Sequence, residues 1–250
     1  MKNIKTPYRT NKSRDTGITS IHDVGIPLEE LKNILDSYSR YLDFAKFGVG
    51  SAYVEPKLRE KIDLYTEHDV EIYFGGTLFE KFYHQGKFDE YLDFLQSFGV
   101  SWLEISSGTV DIRLSDRVEM VKESIEKGFS VIAEVGEKVE TSVMPPSEWM
   151  LEIQTLLSAG CVYVVAEGRD GCNAGLYRPN GEIREGLLSD MTSKIDTKHL
   201  IFEASNSSSQ AYLINHLGAN VNLGNVNPRD LLLLESQRQS LRSETFFNES

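Results

Sequence analysis

The chain has 250 residues, of which 40% are apolar and 26% are charged. Its 38 acidic and 26 basic residues give a formal net charge of −12. This composition excludes an intrinsically disordered chain, a collagen and a bundle of membrane spans. The acidic balance, without a cluster of Lys and Arg, excludes a nucleic-acid-binding surface. It does not exclude anionic substrates, because a local pocket can oppose the net charge.

Eight short apolar segments recur along the chain and predict β-strands, since each is too short for a typical helix. Most of them are rich in β-branched or aromatic residues, and most end at or near a glycine. In chain order they are 17–25, 41–48, 71–76, 102–108, 130–136, 163–169, 199–205 and 220–226.

Amphipathic segments with apolar residues at helical spacing fill the gaps between these strands. Gly86 divides one long segment, 78–98, into two expected pieces. The last helix is expected to begin at Asn227 and Pro228, a capping residue followed by a proline. The other predicted helices are 27–40, 56–68, 114–127, 146–159, 186–195 and 207–217.

Strands that alternate with helices pair in parallel through right-handed crossovers. Eight such units in about 250 residues predict an α/β fold of the single-domain (β/α)8 TIM-barrel type. The alternative is a doubly wound sheet, which seldom needs eight evenly spaced units. The barrel is expected to span 16–245, between a polar N-terminal segment at 1–15 and a short tail at 246–250.

The first 15 residues lack the apolar stretch of a secretory signal. The two cysteines, Cys161 and Cys172, are too few for a disulfide scaffold. We therefore expect a cytoplasmic protein with no membrane partner.

Charged residues stand near the ends of several otherwise apolar strands, where a barrel places its active site. Glu104, Glu134, Glu167 and Glu203 are expected on four consecutive strands. Four carboxylates that face one pocket would repel each other unless a cation lay among them, and Mg²⁺ favours oxygen ligands. The alternative is a ring of salt bridges in which Lys46, Lys138 and Arg169 neutralise the glutamates.

The eighth strand predicts a phosphate site, because barrels often bind phosphate after strands seven and eight. Asn222, Gly224 and Asn225 precede a helix N-terminus whose N–H groups attract anions. An ordinary turn and helix cap would explain this strand-eight segment equally well.

Two further predictions concern other residues. Gly76 and Thr77, which follow the third strand, are also predicted to contact the substrate. The five histidines lack metal-ligand spacing and are interpreted as structural or surface residues.

Seven strings fall in the order found in phosphosulfolactate synthases, and the chain resembles that family from about residue 17 to residue 245. They are KFG at 46–48, GGTLFE at 75–80, EIS at 104–106, EVG at 134–136, EGR at 167–169, FEA at 202–204 and VNLGN at 221–225. The resemblance implies a barrel that adds sulfite to phosphoenolpyruvate with Mg²⁺ and yields (2R)-phospho-3-sulfolactate. It also implies a homo-oligomer, such as a trimer.

The resemblance assigns the general acid to Lys138, the second residue after the EVG string. Lys46 and Arg169 would then clamp two anions that repel each other. The sequence departs from the family pattern at four positions: Val49, Ser107, Glu137 and Glu244. These departures bear on substrate affinity and fine specificity.

Two alternative functions remain open at this point. One is another phosphate-handling barrel lyase, such as an aldolase that forms a Schiff base on Lys46 or Lys138. The other is a non-catalytic relative with a protective or scaffolding role, as plant relatives of the family are associated with heat stress.

Overall fold

The eight β-strands form a closed barrel in chain order, and each strand pairs in parallel with its neighbours. The structure is a computed structural model that describes residues 4–136, 144–169 and 171–248. Helices surround the barrel, which confirms the predicted single-domain (β/α)8 architecture. Within these residues no helix is both long and apolar enough to cross a membrane.

Every strand lies inside the segment that the sequence predicted for it. The strands are β1 (Thr19–Asp23), β2 (Phe44–Phe47), β3 (Glu71–Phe74), β4 (Trp102–Ile105), β5 (Ser130–Val135), β6 (Tyr163–Ala166), β7 (Leu200–Glu203) and β8 (Leu223–Val226).

The helices follow the predicted amphipathic segments, with one short addition, α2. They are α1 (Leu28–Tyr38), α2 (Ser51–Val54), α3 (Leu58–Glu67), α4 (Gly76–His84), α5 (Phe88–Phe98), α6 (Leu114–Glu126), α7 (Pro146–Ala159), α8 (Glu185–Lys194), α9 (Ser207–Leu217) and α10 (Leu231–Arg238). Gly86 separates α4 from α5 with a φ of +67°, a backbone conformation that favours glycine.

The helix ends show why these segments form helices where they do. Asn206 caps α9, because its side chain accepts a hydrogen bond from the backbone N–H of Ser209. Pro146 occupies the first turn of α7, where a missing N–H costs nothing. The helix predicted from Asn227 begins with a 3₁₀ turn, Pro228–Asp230, before α10 continues it.

Apolar side chains fill two separate layers. The larger layer lies between the strands and the helices and includes the fully buried Trp149. The smaller layer fills the inside of the barrel. It consists of Ile18, Phe44, Tyr73, Ile132, Val165 and Ile201. Burying a side chain of this size stabilises the fold by about 1.5–3 kcal/mol. These side chains therefore occupy the middle of the barrel.

Basic side chains close the N-terminal end of the barrel. Arg9 and Arg14, in the segment before β1, form ion pairs with Glu235 and Asp43 at 3.1 Å each. Arg238 of α10 is buried and donates to the backbone carbonyl oxygens of residues 18, 219 and 221. A cavity of about 620 Å³ lies at this end, beside Arg14 and Asp43. Lys46 and Arg169, two of the residues predicted above to be catalytic, lie at the other end.

Candidate active site

A layer of polar side chains crosses the barrel above its apolar filling, at the C-terminal ends of the strands. Six strands and the residue that follows β6 contribute to this polar layer, which consists of His22, Lys46, Glu104, Glu134, Glu167, Glu203 and Asn225. The remaining strand, β3, is followed directly by Gly75 and Gly76. Because inward-facing residues recur every second position along a strand, apolar and polar layers stack on one another.

Lys46 lies at the centre of the polar layer. Its Nζ is 2.9 Å from Oε2 of Glu104, 3.0 Å from Oε2 of Glu134 and 3.6 Å from Oε1 of Glu203. Burial alone would lower the pKa of Lys46, but these carboxylates outweigh it and hold the pKa well above the ordinary value. The ammonium group is therefore charged at neutral pH and engaged with the glutamates.

Two glycines allow the turn after β3 to approach these groups closely. The backbone N–H of Gly76 donates to Oε1 of Glu104 at 2.6 Å. A Cβ at position 76 would lie 2.8 Å from that oxygen and from Oγ of Ser106. A Cβ at position 75 would lie 2.6 Å from Cε of Lys46. The two glycines of the GGT string are therefore required by close contacts in this fold.

Three carboxylates form a group that is suited to a metal ion. Glu134, Glu167 and Glu203 each offer an oxygen, these oxygens lie within 4.8 Å of one another, and all three residues are buried. Such an all-oxygen donor set fits Mg²⁺, which commonly keeps some of its waters. Glu104, the fourth predicted ligand, is instead engaged with Gly76 and Lys46.

Neighbouring groups fix the orientation of these carboxylates. Glu203 accepts hydrogen bonds from the backbone N–H of Gly168 at 2.9 Å and from Nδ2 of Asn225 at 2.6 Å. Glu167 accepts one from the backbone N–H of Arg169, which has a φ of +59°. The strained turn at Arg169 brings that residue to the mouth of the site.

A cavity of about 260 Å³ opens onto the polar layer. It brings together most of the residues predicted to form the site. Its lining consists of His22, Lys46, Val49, Gly76, Thr77, Glu134, Glu167, Arg169, Glu203 and Asn225. Positive and negative groups therefore line one small cavity.

The structure corrects the prediction that Asn222 binds phosphate. Asn222 precedes β8, at the N-terminal end of the barrel. Its Oδ1 accepts from the backbone N–H of Ile18 at 2.9 Å, and its Nδ2 donates to the carbonyl oxygen of Leu200 at 3.1 Å. Asn222 therefore joins strands at the opposite end from the cavity. Gly224 lies on β8 opposite Glu203.

Two other residues that the sequence analysis singled out are Lys138 and Ser107. Lys138, the predicted general acid, lies outside the described residues. Ser107, a departure from the family pattern, accepts a hydrogen bond from the backbone N–H of Ile112 at 2.9 Å and donates to the carbonyl oxygen of Val110. Ser107 therefore holds the loop after β4 together.

His22 is the site residue that sequence reasoning missed, because a lone histidine without ligand spacing was interpreted as structural. The available signal was its position in β1. Ser20, two residues earlier, lies inside the barrel, with its Oγ 3.1 Å from the hydroxyl of Tyr73. Two residues further along the strand, His22 reaches the cavity.

Comparison with known proteins identifies the family. The model of the (2R)-phospho-3-sulfolactate synthase (ComA) family matches residues 7–244. The chain belongs to this family of enzymes. It is 37% identical over 247 residues to the phosphosulfolactate synthase of Bacillus subtilis, with 98% of each chain covered. It is 36% identical over 245 residues to that of Methanothermobacter thermautotrophicus, with 96% of this chain and 95% of the relative covered.

Solved structures that resemble this family member share its barrel. A crystal structure of 3-hexulose-6-phosphate synthase superposes with a TM-score of 0.58 at 11% sequence identity. The superposition covers 89% of this chain and 99% of the other. At so low an identity the likeness shows the fold alone.

Proposed function

We propose that the protein is a phosphosulfolactate synthase that adds sulfite to phosphoenolpyruvate in the presence of Mg²⁺, giving (2R)-phospho-3-sulfolactate. The observation that carries the proposal is the buried group of Glu134, Glu167 and Glu203, in a chain that belongs to this family. The cavity beside that group has room for a three-carbon phosphate ester.

The carboxylates of Glu134, Glu167 and Glu203 would hold the metal. A bound Mg²⁺ supplies positive charge that stabilises the negative charge developing on the substrate carboxylate. Without a cation, three buried carboxylates so close together would be costly. Lys46 offsets part of this charge, through its contacts with Glu134 and Glu203.

The reaction joins the sulfur lone pair of sulfite to the methylene carbon of phosphoenolpyruvate. The electron pair of the carbon–carbon double bond moves toward the carboxylate, and the adjacent carbon then takes up a proton. Arg169, at the cavity mouth, would bind an anionic group of the substrates and reduce the repulsion between them. The family resemblance assigns the proton to Lys138, and delivery of a proton to one face of that carbon would set its configuration.

Lys46 acts as a positioning residue in this proposal. Its ammonium group stays between the glutamates and holds them apart at fixed distances. A Schiff-base aldolase needs a lysine that is neutral when it attacks a carbonyl. The three carboxylate contacts of Lys46, which also raise its pKa, oppose that role and disfavour an aldolase that uses this residue.

The test is the sulfite-dependent loss of the enol ultraviolet absorbance of phosphoenolpyruvate. We expect the purified protein to consume it only when sulfite and Mg²⁺ are both present. Glu167→Gln should lower kcat at least tenfold, while Glu182→Gln, an exposed control at a distance from the cavity, should match the wild type. Consumption without sulfite, or a fully active Glu167→Gln protein, would contradict the proposal.

A further inference from the structure

A buried arginine, Arg117, links the outer helices to the strand that carries Glu134. It lies in the first turn of α6, and its side chain is 2% exposed. Its Nη2 donates to the backbone carbonyl oxygen of Glu134 at 2.7 Å. Its Nη1 donates to Oε2 of Glu152, on α7, at 2.7 Å. The guanidinium group therefore joins α6, α7 and β5 at one buried point.

Arg117 contacts β5 where the strand loses one of its two neighbours. The last residue of β5 that pairs with β4 is Ala133, one residue before Glu134. The pairing with β6 continues through Glu134 to Val135. The end of β5 is therefore held by a strand on the β6 side only. The hydrogen bond from Arg117 adds a second attachment at Glu134 itself.

The ion pair with Glu152 sets the direction of the guanidinium group. A buried charge is costly unless it is paired, and Glu152 supplies the pair at 2.7 Å. Because a guanidinium is planar and its N–H groups point in fixed directions, the contact at Nη1 also orients Nη2. A lysine carries the same charge on a single nitrogen, so it cannot reproduce both contacts in this arrangement.

The position of Glu134 has a consequence inside the barrel. Its Oε2 is 3.0 Å from Nζ of Lys46, and an oxygen of this carboxylate lies within 4.8 Å of oxygens of Glu167 and Glu203. Mg²⁺ demands near-ideal octahedral geometry from its ligands. A metal site of this kind needs its ligands held within about 0.5 Å of the productive arrangement. A movement of the backbone at Glu134 would therefore disturb the group of carboxylates.

We propose that Arg117 is a positioning residue for the metal site, because it holds the backbone of Glu134 and so keeps this carboxylate in place for the cation. The inference rests on the proposed function and deepens it, since it concerns the same group of carboxylates. Arg117 does not line the cavity and acts through Glu134. Replacing a group that supports a metal ligand commonly costs about 10–100-fold in metal affinity or activity.

The test compares two buried arginines. Arg117→Lys keeps the positive charge, so that a change in metal affinity reports geometry. Arg238→Lys is the matched control, because Arg238 is also buried and also donates to backbone carbonyl oxygens, but at the N-terminal end of the barrel. Both substitutions should lower Tm, since each disturbs buried contacts, and circular dichroism identifies the temperatures at which each variant is folded.

The deciding measurement is the affinity for Mn²⁺, used in place of Mg²⁺ and followed through the electron paramagnetic resonance signal of the free ion. We expect folded Arg117→Lys to bind Mn²⁺ about tenfold or more weakly than the wild type. Arg238→Lys should stay within about twofold of the wild type, because its contacts do not reach a metal ligand.

Two results would overturn the proposal. One is wild-type Mn²⁺ affinity in a folded Arg117→Lys protein. The other is an equal loss of affinity in Arg238→Lys, which would assign the loss to a general loosening of the barrel. If the wild type binds Mn²⁺ but does not consume phosphoenolpyruvate with sulfite, the proposed function fails, and a loss of Mn²⁺ binding in Arg117→Lys still supports this inference. If the wild type binds no Mn²⁺, both fail.

A second variant, Glu152→Gln, covers the case in which Arg117→Lys does not fold. Glu152 is 23% exposed, and the substitution keeps the size of the side chain while removing the charge that orients the guanidinium. We expect roughly threefold or weaker Mn²⁺ binding, a smaller loss because Arg117 itself remains. Glu148→Gln, an exposed position on the same helix, should match the wild type. Wild-type affinity in Glu152→Gln would in that case overturn the proposal.

Discussion

Replacing Lys46 by methionine tests how the polar layer is held together. The substitution keeps an unbranched side chain one heavy atom shorter, but removes the charge that contacts Glu104, Glu134 and Glu203 at 2.9–3.6 Å. The lysine side chain is 8% exposed and these glutamates are at most 2% exposed, so water cannot replace the lost contacts. Removing one partner of such a buried pair costs about 3–5 kcal/mol. For a chain of this size that corresponds to a fall in Tm of roughly 6–20 °C.

The assay is thermal unfolding of the wild type and Lys46→Met in EDTA, with Lys194→Met as an exposed control. Lys194 pairs with Asp190 on the surface of α8, where water already screens the contact, so its removal should leave Tm close to that of the wild type. A Lys46→Met protein as stable as the wild type would refute the claim that the lysine holds the carboxylates.

The pH dependence of this effect has a definite sign. Because the pKa of Lys46 in the folded protein is raised above its ordinary value of 10.5, the folded state keeps this proton longer than the unfolded state. The stabilisation is fully present below about pH 10.5 and is lost as the pH rises through the folded-state pKa. The difference in stability between the wild type and Lys46→Met should therefore shrink only in strongly alkaline solution.

Three further substitutions test other parts of the site. Glu80→Gln should destabilise the protein by about 1–3 kcal/mol in urea unfolding, because this buried carboxylate accepts from Oγ of Ser106 and from three backbone N–H groups of the loop after β4. Gly76→Ala should lower kcat at least tenfold, because the new Cβ would press on Oε1 of Glu104. Glu167→Gln should weaken Mg²⁺ binding about tenfold or more, measured by competition with Mn²⁺, because it removes one of three anionic ligands.

Each of these predictions has a control and a contrary outcome. Glu182→Gln changes an exposed carboxylate and should alter neither unfolding nor metal binding. Gly186→Ala, within α8, should leave kcat unchanged, because nothing lies within 4 Å of the new Cβ. Wild-type stability in Glu80→Gln, wild-type kcat in Gly76→Ala, or wild-type metal affinity in Glu167→Gln would contradict the corresponding contact.

The fold was predictable because the chain repeats one unit with clear local signals. Each strand is an apolar segment of four to six residues, and the helices between the strands carry apolar residues at helical spacing. The exception is α2, a single turn of four residues after Gly50. So short a helix has no periodicity to detect, and its formation depends on contacts such as the bond from Oγ of Ser51 to the backbone oxygen of Asp23.

The site was predictable where a charge interrupts an apolar strand, as at Glu134, Glu167 and Glu203. The sequence could not predict at which end of the barrel a residue lies when that position depends on strand register. The sequence predicts one phosphate segment that contains Asn222 and Gly224, but β8 begins only at Leu223, and Asn222 lies at the opposite end of the barrel.

The sequence also could not show which groups form ion pairs or hydrogen bonds with each charged residue. The sequence left two roles open for Lys46, a clamp on the substrates or a salt bridge to the glutamates, and the structure shows its ammonium group among glutamates from β4, β5 and β7. Asp23, another polar residue at a strand end, pairs with Lys61 at 3.1 Å and accepts from the hydroxyl of Tyr65. Only the closed barrel decides which of these residues face the cavity and which face the helices.

The central claim is that this chain adds sulfite to phosphoenolpyruvate with the help of a divalent cation. The most direct measurement is ³¹P NMR of the purified protein with phosphoenolpyruvate, sulfite and Mg²⁺, repeated with EDTA and repeated without sulfite. We expect a new phosphate-ester signal that appears only when both sulfite and Mg²⁺ are present. Unchanged phosphoenolpyruvate in the complete mixture, from folded protein, would contradict it.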